Sequence, residues 1–143
     1  MGLLSDFFVA TSDEIGDLDI EQSPVIKFPT VQAARVDVVK LTMLRCIIEG
    51  TKFDDYLSTL DSLLVRGTDE GPWIIKVPDS VYDRLSNADL PGVRDLADQW
   101  SKTEEWRLDG GTAENLEPFI SELSKLATTG KNQNRELFVW VSL

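Results

Sequence analysis

The sequence predicts a single α+β domain over residues 1–143, a small mixed or antiparallel sheet packed against several helices. Three observations predict it. Runs of strand-forming residues stand near both chain ends, at Phe7-Phe8-Val9 and Leu137-Phe138-Val139-Trp140-Val141, with Trp73-Ile74-Ile75-Lys76-Val77 between them. The stretches separating these runs carry helical periodicity rather than a regular βαβ succession. The 143 residues suffice for one sizeable core and fall short of two, and 42% hydrophobic with 27% charged residues is a globular composition.

Taken in order, the first strand covers residues 5–10 and stops at Thr11-Ser12-Asp13-Glu14. Thr11 and Glu14 have capping-box spacing, so a short helix follows. Asp17, Asp19 and Glu21 alternate with Leu18 and Ile20, and Pro24 and Pro29 bracket Val25-Ile26-Lys27-Phe28 as a brief extended piece. Asp37 caps a helix from Val38 to Glu49, with Gly50 as its left-handed stop. On a helical wheel Thr42, Arg45 and Glu49 form one narrow polar arc and apolar residues fill most of the rest. This helix is expected at the centre of the core. Thr51 caps the next, where Phe53, Leu57, Leu60 and Leu64 recur at helical spacing, an antiparallel partner for its predecessor.

Residues 66–72 read as a turn-rich connector into the strand at 73–77, after which Asp79 caps a short helix through Leu85. A helix from Leu90 carries Val93, Leu96, Ala97 and Trp100 on one face and continues toward Trp106, ending at Gly110-Gly111. Leu116, Phe119, Ile120, Leu123, Leu126 and Ala127 define a last helix closed by Gly130. Pro118 favours a loosely wound turn from Thr112 that becomes regular near Leu116. The terminal strand runs from Glu136, and all three strands are expected in one sheet.

Charge and missing residue types narrow the function. With 14 Lys and Arg against 25 Asp and Glu, a formal charge of −11 disfavours nucleic acid and anionic membranes, because the summed field repels phosphates. The first 70 residues carry 13 acids against 6 bases and the remainder 12 against 8, so the acidity is expected to spread over the folded body. No apolar run reaches membrane-spanning length. The N-terminus lacks the features of a secretory signal, and Asp6 stands where an acylated Gly2 would want Ser or Thr, so a cytoplasmic location is expected. The chain has no His and one Cys, Cys46, which excludes His-based dyads, His-containing zinc sites and an internal disulfide; no cofactor or metal is expected.

Several residues could still carry chemistry. Asp17, Asp19 and Glu21 resemble the opening of a calcium loop, but Gln22 and Phe28 occupy the positions that need Gly and Glu, so a solvated acidic face is expected. Cys46 lies in the apolar arc of its helix and reads as a core residue. Ser5, Ser12, Ser58 and Ser80 have no histidine partner, and no spacing marks a Ser-Lys dyad. Trp73 and Trp140, flanked by aliphatics, read as a core pair. Glu104, four residues beyond Trp100, would turn onto the apolar stripe of an unbroken helix and act as a desolvated acid or base, or else pair with Arg107 where the helix frays. Trp100, Glu104, Glu105 and Trp106 together read either as a binding patch or as core aromatics beside exposed acids.

Ser5-Asp6-Phe7-Phe8, Gly71-Pro72-Trp73, Val77-Pro78-Asp79, Trp100 with Glu104-Glu105, and Phe138 to Leu143 follow one another in an order that resembles a group of short, acidic bacterial proteins of no known activity. The resemblance implies a bacterial cytosolic origin and no catalysis. The sequence therefore leads to an interaction module of immunity or inhibitor type that meets a basic partner, with a carboxylate-based, magnesium-dependent enzyme as the alternative.

Overall fold

The computed structural model describes residues 3–143, so the reading of Gly2 lies outside it. Strand β1 (Leu4–Ala10) enters helix α1 (Ser12–Asp17) through the expected capping box. The Glu14 N–H donates to the Thr11 hydroxyl at 3.2 Å and the Thr11 N–H donates to the Glu14 carboxylate at 2.9 Å. A 3-10 turn at Pro24–Ile26 follows, then strand β2 (Thr30–Ala34). These replace the extended piece expected over residues 25–28: Pro24 is pre-set for the first position of a turn, and extended backbone begins only after Pro29.

Helix α2 (Val38–Glu49) has the expected limits. The Lys40 N–H donates to the Asp37 carboxylate at 2.9 Å, and Gly50 closes the helix at φ 69°. Its buried face differs from the expected one. Leu41, Leu44 and Cys46 are buried, but so are Lys40 and Thr42, while Val38, Val39, Met43, Ile47 and Ile48 are half-buried. Thr42 fits because its hydroxyl donates to the Val38 carbonyl at 2.7 Å.

The α-helix expected over residues 53–64 is absent. Phe53–Leu63 winds as 3-10 turns with no buried residue, Lys52 rather than Thr51 stands at its start, and Leu64 opens strand β3 (Leu64–Gly67). That strand takes up Arg66 and Gly67 from the expected connector and pairs with β4 (Trp73–Lys76). Asp79 is the first residue of α3 (Asp79–Ser86) rather than its cap, which is Pro78. Helix α4 (Leu90–Ser101) buries Val93, Leu96, Ala97 and Trp100 but does not continue to Trp106. It stops where the Thr103 N–H and hydroxyl both turn back to the Trp100 carbonyl, at 3.1 and 2.7 Å, and α5 (Glu104–Leu108) starts afresh.

Helix α6 (Ala113–Asn132) is regular from its first turn, capped by Thr112, with Pro118 inside it and Gly130 two residues before its end. Gly130 is there for close packing: a Cβ would lie 2.4 Å from the Tyr82 hydroxyl and 2.6 Å from a Val9 methyl. Strand β5 (Glu136–Ser142) completes an antiparallel sheet in the order β2-β1-β5-β4-β3. The three expected strands are its centre, and the two that sequence reasoning missed are its edges.

Alternation along the strands divides the core. Phe7, Val9, Ile75, Leu137, Val139 and Val141 face the helices, while Phe8, Ala10, Ile74, Phe138 and Trp140 are covered by Ile15, Leu18, Ile20 and Phe28. Trp73 lies opposite Val141 and Trp140 opposite Ile74, so the two tryptophans occupy opposite faces of the sheet and do not pair. The largest fully buried side chain is Trp100, stacked on Phe119 at 6.2 Å and edge-on to Trp106 at 5.3 Å.

Candidate functional site

Three chain segments converge where α2 ends, the 3-10 run begins and α3 starts. They border an open groove of about 750 Å³. Its polar hub is Glu49, whose Oε2 accepts the Arg45 Nε–H at 2.7 Å and the Ser80 hydroxyl at 2.6 Å while Oε1 accepts the Tyr56 hydroxyl at 2.7 Å. The Arg45 guanidinium also lies over the Tyr56 ring, 4.2 Å from its centroid. Hydrogen bonding from Ser80 above all, with Tyr56 and Arg45 adding and outweighing desolvation, holds the Glu49 carboxyl at a pKa of about 2. At neutral pH Glu49 is therefore a fixed negative charge with its lone pairs committed, unsuited to take a proton from Ser80. None of these residues stood out in the sequence as a set. Only the i, i+4 spacing of Arg45 and Glu49 was legible there.

Beside the groove the 3-10 run and β3 form an exposed ridge. Leu57, Leu64 and Val65 are 54%, 46% and 44% exposed, and Asp54, Asp55 and Asp61 stand exposed among them. Arg66 is tied back toward the end of α1, its Nη1 donating to the Ile15 and Leu18 carbonyls at 2.9 and 2.5 Å, and keeps its positive charge among these acids. Strand β3 is also a sheet edge, so one side of its backbone has no strand partner.

The residues expected as a binding patch are divided. Trp100 is fully buried, and its indole N–H donates to the Lys40 carbonyl at 2.9 Å. Trp106 is buried beneath the Lys40 ammonium, 4.1 Å from the ring centroid. Glu105 is half-buried and Glu104 exposed, because the break at Lys102–Thr103 turns Glu104 off the apolar stripe. Lys40, only 3% exposed, forms an ion pair with Asp109 and donates to the Arg35 carbonyl at 2.5 Å. Hydrogen bonding from Lys40 holds the Asp109 carboxyl below its ordinary range. The sequence carried one signal for this lysine: it stands four residues before Leu44, on the same helical face.

Cys46 is buried, and burial raises its thiol pKa. Asp17, Asp19 and Glu21 are exposed, and among the described residues no three acids or thiols gather as a metal cage. No helix of the described residues is long and apolar enough to cross a membrane. Comparison with protein-family models, curated proteins and solved structures finds no match to this chain. Its function has to be argued from its own geometry.

Proposed function

We propose that this protein is a cytoplasmic interaction module of immunity or inhibitor type, and that the ridge and groove formed by the 3-10 run, β3 and the Glu49 hub receive a basic, extended segment of a partner protein. One observation carries the reading: a run spaced like a core helix keeps Leu57 exposed, and Leu64 and Val65 after it, with acids on either side. Apolar side chains in such a row lower the free energy of any chain that covers them. The acids select what covers them. Residues 51–71 hold Asp54, Asp55, Asp61, Asp69 and Glu70 against Lys52 and Arg66, five acids to two bases, so a basic chain is attracted and an acidic one repelled.

An extended segment suits the site because β3 is an edge strand, irregular between Leu64 and Arg66, whose outer side an added strand can pair. Glu49 is held by Arg45, Ser80 and Tyr56, so it shapes the groove wall while the exposed aspartates supply the attraction for Lys or Arg.

The test compares two short peptides, one alternating lysine with leucine and the other glutamate with leucine, by calorimetric titration against the full chain. The lysine peptide is expected to bind, and to bind more weakly to the Leu57→Ser, Val65→Ser double variant. Equal binding of both peptides, or an unchanged affinity in the double variant, contradicts the reading.

A further inference from the structure

We propose that a second pocket, between β2 and the start of α6, binds a small organic anion: a carboxylate carried on a flat apolar body. The pocket is an open depression of about 310 Å³, at the lower end of the range of roughly 300 to 1,000 Å³ usual for small-molecule sites. Trp106, Phe119, Leu116, Ala33 and Val36 give it apolar walls. An aromatic or other flat body fits such a surface.

The polar side chains around these walls are Gln32, Arg35, Asp109 and Asn115. Arg35 lines the pocket and is exposed, and its guanidinium makes one hydrogen bond among the described residues, to the Asp109 carbonyl at 3.3 Å, out of the five N–H groups an arginine carries. Trp106 is 7% exposed, and its indole N–H is buried with no partner among the described residues. The Trp106 ring forms part of the pocket wall, so its N–H resonance reports what sits against that wall. Asn115 adds a side-chain amide, and the pocket lies at the first turn of α6, whose 20 residues place partial positive charge at this end.

The single acid in the lining, Asp109, is already neutralised by Lys40. Among the described residues Arg35 is thus the unpaired charge of the lining, with Glu114 exposed beside it in the first turn of α6. A cationic ligand would meet Arg35 with no free carboxylate in the lining to receive it. A neutral ligand would leave the guanidinium without a counter-charge.

The test titrates the full chain with benzoate, benzyl alcohol and benzylamine, which share one ring and differ in charge. It follows the indole N–H resonance of Trp106, assigned by its loss in Trp106→Phe. Benzoate is expected to move that resonance saturably, with a dissociation constant in the roughly millimolar range appropriate to so small a probe, and the other two to bind about tenfold more weakly or worse. Arg35→Gln should weaken benzoate binding by about tenfold, and Arg35→Lys, which keeps the charge, should lose less. The proposal is overturned if benzoate leaves the Trp106 resonance unmoved, if the three probes bind alike, or if Arg35→Gln retains the dispersed amide spectrum of the folded protein and binds benzoate as before.

Discussion

Glu49 and Ser80 meet across 31 positions of the chain, the serine hydroxyl donating to Oε2 at 2.6 Å and joining the end of α2 to the first turn of α3. That bond, with those from Tyr56 and Arg45, ties the segments that line the groove together and fixes the charge where they meet.

Acid stability should report this hub. The Glu49 pKa falls from an ordinary 4.5 to about 2 on folding, so its contribution is fully present above pH 4.5 and is lost as pH falls toward 2. Urea midpoints of the wild type should decline through that window, and Glu49→Gln should decline less. Parallel pH profiles for the two proteins would contradict the assignment.

Ser80→Ala removes the largest cause of the depressed pKa, so Glu49 should titrate closer to its ordinary value. Carboxyl carbon shifts followed by NMR across the acid range check this directly. An unchanged midpoint would mean that Arg45 and Tyr56 alone suffice.

Leu44 is buried at the interior face of α2. Leu44→Ala should cost about 2 to 5 kcal/mol through lost transfer energy and the cavity left behind, read from the shift in urea midpoint.

Much of the fold was legible because its signals are local. Thr11 with Glu14, and Asp37 with Gly50, fix helix ends through contacts within four residues, and the three central strands carry dense aliphatic and aromatic runs. The edge strands were not legible. Thr30–Ala34 and Leu64–Gly67 are short and poorly patterned, and each is strand only because a partner lies beside it. Phe53, Leu57, Leu60 and Leu64 have core-helix spacing, but spacing says which residues share a face and not whether anything covers that face. The Ser80–Glu49 bond and the Lys40–Asp109 pair join residues far apart in sequence, with no spacing to announce them.

Lys40 and Asp109 should respond unequally to loss of their partner. Lys40→Met leaves a carboxylate that is 38% exposed and can regain water, and the methionine stem can keep packing on Trp106. Asp109→Asn leaves a buried ammonium without its counter-charge. Asp109→Asn is expected to be the more destabilising in thermal denaturation, and the reverse order would contradict the buried-cation account.

Association with a basic peptide should slow as salt rises, because a Debye length of about 10 Å at 0.1 M screens charges over the encounter distance. Asp54→Asn with Asp61→Asn should lower the association rate, since both acids flank the ridge. Glu104→Gln with Glu105→Gln, outside the ridge and groove, should leave it nearly unchanged. Equal rates for the two double variants would assign attraction to the overall acidic field.

The docking face is tested most directly by amide hydrogen exchange, read residue by residue with and without the lysine and leucine peptide. Protection should rise at the amides of β3 that face away from β4 and along the 3-10 run from Phe53 to Leu63, where a covering strand would pair and bury the exposed backbone. Protection confined to β2, or spread evenly over the molecule while β3 exchanges as before, would contradict the proposed interface.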